Sequence, residues 1–86
     1  MPKFTYPIVF ILNPETGGYN GFIPDLLIFA EGEKLEDVYE DAHETLTKFF
    51  ALQQKYGKDV PAPSGLDEMT AKWEGFKVSL ITADIT

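Results

Sequence analysis

The side chains best equipped for chemistry in this 86-residue sequence are its carboxylates, fourteen Asp and Glu against seven basic residues. Five of them, Glu36, Asp37, Glu40, Asp41 and Glu44, lie three or four residues apart, a spacing that gathers them on one side of a helix. Like charges at that spacing cost a helix about 0.2–0.5 kcal/mol per pair. A ridge that is unfavourable to its own helix fits attraction to a basic protein surface, while the plainer reading is a solvated face that serves solubility. Hydrolytic chemistry finds little else to use. With no cysteine, disulfides and thiolate metal sites are excluded, and a metal centre would have to combine carboxylates with the lone His43. His43 has no second histidine, cysteine or serine in a suggestive pattern and reads as a boundary residue. Gly17-Gly18 lacks the following helix start and lysine of a phosphate-cradling loop. The net charge of -7 repels phosphate backbones, so direct nucleic-acid binding is not expected. The expectation is a non-catalytic domain with no metal and no cofactor.

The acidic ridge sits on the longest periodic stretch. Leu35, Val38, Tyr39, Ala42, Leu46, Phe49 and Phe50, with Gln53 at the fringe, follow the i, i+3, i+4, i+7 rule and predict an amphipathic helix from Leu35 to Tyr56. Lys34 stands where a short oxygen-bearing cap is usual, leaving the carboxylates of the first turns to answer the helix dipole, and Gly57 is the stop. Upstream, alternation from Phe4 to Leu12 predicts a strand, with Pro7 marking a bulge or unpaired position. A turn-forming run, Asn13 to Gly18, precedes a return strand at Tyr19–Ile23 that Pro24 stops. Leu26–Ala30 reads as a third strand. Downstream, Pro61-Ala62-Pro63 is an extended connector, and Ser64 with Asp67 matches a capping pattern for a short helix holding Leu66, Met69 and Trp73. Phe76, Val78 and Leu80 begin a last strand, and Ile81, Ala83 and Ile85 take up the opposite phase.

The order β-β-β-α-β over residues 1–86 predicts one α+β domain: an antiparallel meander, a crossing helix, and a fourth strand beside the first. A helix of that length is roughly 33 Å long and roughly 10 Å wide. It shields one face of a four-stranded layer spaced at about 4.8 Å and leaves the other open. Val9, Ile11, Ile81, Ala83 and Ile85 are assigned to that open face. At roughly 1.5–3 kcal/mol per buried large side chain, exposing them all forfeits much of a small domain's stability, so a homo-oligomer formed through the face or a strand edge is expected. No apolar run has signal or membrane-spanning length, which points to a soluble cytoplasmic protein without membrane attachment.

Tyr6-Pro7-Ile8-Val9-Phe10, Gly17-Gly18-Tyr19, Pro24-Asp25-Leu26, Glu31 to Asp37 and Pro61-Ala62-Pro63-Ser64, in that order and spacing, resemble the HicB family of antitoxins. The resemblance covers nearly the whole chain. It implies a degenerate ribonuclease-H-like fold and a partner, a small basic HicA toxin that cleaves messenger RNA until HicB covers it. The chain departs from the family pattern at Leu27 to Ala30, where a turn of P-G-C type is usual, and at Lys34, which replaces a capping threonine. It also reaches Thr86 without the operator-binding segment of many HicB proteins. True ribonuclease H folds carry several carboxylates around two metal ions. Here the first strand has no acidic residue between Phe4 and Leu12, and Asp25, Glu31 and Asp84 are scattered. The rival reading is an orphan self-assembling structural domain with no toxin partner.

Overall fold

The computed structural model describes residues 3–57 and 60–84, and side chains from residue 5 to residue 82 within them. The elements are β1 (Lys3–Leu12), β2 (Tyr19–Ile23), β3 (Ile28–Gly32), α1 (Leu35–Lys55), α2 (Leu66–Lys72) and β4 (Lys77–Asp84). The four strands form an antiparallel sheet in the order β3-β2-β1-β4. The fold is α+β as the periodicity predicts, and the last strand lies antiparallel beside the first.

The core lies between α1 and one sheet face. Val38, Ala42, Leu46 and Phe50 of α1 are buried against Tyr6, Ile8 and Phe10 of β1, Ile23, Ile28 and Ala30 of the hairpin, and Ile81 of β4. The helix comes close because glycine gives it room. A Cβ on Gly21 would lie 2.5 Å from a Val38 methyl, and one on Gly32 would lie 2.8 Å from the Val38 backbone nitrogen. Asn13 shapes the first hairpin, its backbone bonding to Gly17 and Gly18 and its side chain accepting from the Glu15 amide. Gly17 takes the positive φ this turn requires.

Several local expectations shift. β3 begins at Ile28, because the four-residue loop Pro24–Leu27 occupies the preceding positions and Leu27 adopts a φ of 55°. Of the two expectations for Pro7, a bulge or an unpaired position, the register supports the second. Its register with Leu80 is unbroken, and the ladder to β2 starts only at Val9, so Pro7 has a partner strand on one edge alone. The short helix forms, but Gly65 is its N-cap and the Ser64 side chain is engaged elsewhere.

The second sheet face is not bare. Val9 and Pro7 point away from α1, yet both are fully buried. α2 packs against β4, Met69 is buried, and Trp73 meets Phe22 edge-on at 5.8 Å. This corrects the expectation that the chain has no helix to place there. It also divides the proposed oligomer face. Register opposite Tyr6 puts Ile81 under α1, fully buried in the core, whereas Val9 lies beneath the α2 layer and Ile11 is half-buried. Ala83 is placed only by its register with Phe4, and Ile85 lies outside the described residues.

Gly32→Ala is expected to destabilise the fold by about 1–3 kcal/mol, the usual cost of overpacking, because the obstructing atoms, the Asp37 Cβ and the Val38 nitrogen, are fixed by the helix backbone. Urea denaturation checks this, and an unchanged midpoint contradicts the close approach.

Candidate protein-binding surface

The acidic residues predicted to meet a partner all fall on α1, and their surroundings separate them into two sets. Glu36, Glu40 and Glu44 are exposed. Glu44 pairs with Lys48 at 3.1 Å, in a bridge open enough to water to add little to stability. Asp37 and Asp41 turn toward the chain entering the helix. Asp37 accepts the Lys34 amide at 3.3 Å, the half of a capping box that remains available when the N-cap is a lysine, whose side chain has no acceptor to offer the helix amides. Asp41 accepts the Glu31 amide at 3.1 Å across the edge of β3. Both help hold the start of α1 and the end of β3 together, a role the helical spacing did not reveal.

Acidic residues also rim the β3 edge. Alternation along β3 puts Glu31, like Phe29, on the face away from α1, Glu33 follows just after the strand, and Asp41 of α1 meets them around the edge. Two shallow cavities of about 450 and 400 Å³ open there. The first is lined by Asn13, Thr16, Tyr19, Glu31 and Glu33 among others, the second by Asn20, Phe29, Glu31 and Asp41 with Ala30. Phe29 is 70% exposed although its ring stacks on Phe22 at 4.7 Å, and the neighbouring Leu27 is 73% exposed. An acidic rim beside an exposed apolar step suits a protein surface rather than a small substrate.

The scattered carboxylates do not assemble. Asp25 lies in the β2–β3 loop, Glu31 at the far end of β3, and Asp84 pairs in register with Lys3 at the end of β4. Among the described residues, no group of three or more His, Asp or Glu side chains is placed to hold a metal ion. His43 is half-buried, and its carbonyl accepts the Thr47 hydroxyl.

The structure also brings together four residues that sequence reasoning did not connect. The Asp25 carboxylate accepts both the Ser64 amide, at 2.9 Å, and the Ser64 hydroxyl, at 2.6 Å. Nearby, the Tyr6 hydroxyl donates to the Pro61 carbonyl at 2.6 Å. These bonds tie the connector between the helices to the sheet and so fix where α2 begins. Burial of the Tyr6 phenol, reinforced by the negative charge of Asp25, raises its pKa above the ordinary 10.0.

Comparison with known proteins finds no matching family model and no matching curated sequence. Solved structures do match over almost the whole chain. The N-terminal domain of the antitoxin HicB from Burkholderia pseudomallei superimposes with a TM-score of 0.84 at 21% identity, covering 95% of this chain and all of that one. The longer Burkholderia pseudomallei HicB gives 0.83 at 23% identity, with 96% of this chain matched to 64% of that one. A chain from the HicA3 and HicB3 toxin–antitoxin complex gives 0.68 at 24% identity, covering 95% of this chain and all of that one. The chain therefore has the fold of a HicB antitoxin N-terminal domain, as the ordered motifs lead one to expect. Among the described residues, no helix is long and apolar enough to cross a membrane.

Two outcomes test the connector. Ser64→Ala should cost about 1–3 kcal/mol in thermal or urea unfolding, because it leaves a carboxylate oxygen without its donor. Unfolded tyrosine releases its proton near 10.0, whereas folded Tyr6 retains it, so stability is full below that pH and declines as pH rises through the raised value. Tyr6→Phe should flatten this alkaline decline, and an equally steep decline in the variant contradicts the assignment.

Proposed function

We propose that this chain is a non-catalytic, cytoplasmic antitoxin domain that neutralises a small basic toxin of the HicA type by covering it. The observation that carries this reading is the whole-length correspondence with HicB antitoxin domains, one of them from a toxin–antitoxin complex. The charge distribution supports it independently. A chain of net charge -7 with an exposed row at Glu36, Glu40 and Glu44 attracts a cationic protein and repels nucleic acid. The acidic rim at Glu31 and Glu33 and the apolar step at Phe29 complete the surface. Asp37 and Asp41 act mainly by holding the helix entrance, and contribute to the field rather than to direct contact.

Such a surface works by exclusion. Long-range attraction speeds encounter and orients the partner, and the apolar step then resists dissociation. No bond is made or broken by the antitoxin.

Co-expression with a HicA-type protein from the same genome tests the reading. The wild-type chain should relieve the growth arrest. A chain with Glu36, Glu40 and Glu44 all replaced by lysine should remain folded, associate at least about tenfold more slowly at low salt, and lose most of the salt dependence of association. Failure of the wild-type chain to bind or rescue contradicts the antitoxin role and favours the orphan structural domain. Unchanged association of the lysine variant removes the acidic ridge from the mechanism.

A further inference from the structure

The outer side of the β3 edge brings an aromatic ring and unused acceptors together. Phe29 lies nearly parallel to Phe22, with ring centroids 4.7 Å apart and planes 20° from each other, so one of its faces is covered. At 70% exposure, the other face is open to water. Glu31 stands two residues further along the same side of the strand, roughly 7 Å away, and Asn20 lies directly across the ladder from it. Phe29, Glu31 and Asn20 line one cavity of about 400 Å³, with Asp41 of α1 at its wall. The Asp41 carboxylate accepts the Glu31 amide and so fixes the backbone beneath the cavity. The Glu31 carboxylate and the Asn20 side chain, by contrast, have no hydrogen-bond or ion-pair partner among the described residues.

We propose that this cavity binds an arginine side chain of a protein partner, its guanidinium lying on the free face of Phe29 and donating to the Glu31 carboxylate and the Asn20 side-chain carbonyl. Each wall then meets the group it suits. A planar, weakly hydrated cation stacks on an aromatic face, and its fork of N–H groups reaches two acceptors set side by side. The charge of Asp41 adds to the field without leaving the amide it holds. A lysine ammonium is a compact and strongly hydrated point charge, which can answer Glu31 but cannot cover the ring. A hard metal ion asks for six or more oxygens, and one of the two carboxylates here is already engaged. A second copy of this chain cannot fill the site, because its seven basic residues are all lysine. That the arginine belongs to a toxin of the HicA type rests on the function proposed above, whereas the chemistry of the cavity does not.

Amide chemical shifts of the isotope-labelled chain, followed during titration with N-acetyl-arginine amide and separately with N-acetyl-lysine amide, test the site. The arginine derivative should shift Asn20, Phe29, Glu31 and Asp41 saturably, and the lysine derivative should bind about two- to fivefold more weakly. Phe29→Leu and Glu31→Gln, both at exposed positions, should each weaken the arginine derivative by about two- to fivefold. Glu36→Gln, on exposed helix surface outside the cavity, should leave it unchanged. An equal response to both derivatives, shifts centred elsewhere, or indifference to Phe29→Leu overturns the proposal. The two readings fail separately. A chain that takes up the arginine derivative but binds no HicA-type protein contradicts the antitoxin role and upholds the site, and one that binds the toxin without the arginine response does the reverse.

Discussion

A four-stranded layer has two faces and two edges, and one long helix can satisfy only one face. Everything else in this molecule follows from how the remaining three surfaces are handled. The stripe Val38, Ala42, Leu46 and Phe50 sets the helix on the sheet, and the absence of side chains at Gly21 and Gly32 lets it descend far enough for Val38 and Leu46 to become fully buried. That seating turns Asp37 and Asp41 toward the β3–α1 connection and leaves Glu36, Glu40 and Glu44 in water.

The second face is treated more economically. A seven-residue helix cannot hold its place through its own hydrogen bonds, since isolated helices of that length are unstable in water. It is held by what precedes it: Tyr6 bonded to Pro61, and Asp25 bonded twice to Ser64. With the connector pinned, Met69 and Trp73 reach the sheet, and Trp73 links Phe22 to Phe76 through two edge-on ring contacts. The covering is incomplete, and Phe29, Leu80 and Leu66 stay substantially exposed along its border.

Elements whose pattern is local were legible in the sequence. The helix from Leu35, the first two strands, the glycine turn and the order of motifs shared with HicB antitoxins all depend on neighbours a few residues apart. What depended on partners far along the chain was not legible. Ile81 read as an open-face residue because the phase change in the last strand has two interpretations, and only pairing with Tyr6 decides between them. Ser64 looked like a helix cap, an acceptor of helix amides, because the carboxylate to which its hydroxyl donates, Asp25, is 39 residues away. Leu27 gave no sign of a left-handed turn, a conformation that a branched apolar side chain seldom adopts. At the candidate surface, the helical spacing found the acidic row. It did not show that two of them, Asp37 and Asp41, accept backbone amides at the helix entrance.

The central claim is that the carboxylates of α1 divide their work, Asp37 and Asp41 bracing the helix entrance through backbone amides while Glu36, Glu40 and Glu44 stay at the surface. Urea denaturation of two variants, Asp37→Asn with Asp41→Asn and Glu36→Gln with Glu40→Gln and Glu44→Gln, tests it most directly. The account predicts a lower midpoint for the first and no loss for the second. Equal losses, or none in the first, would contradict it.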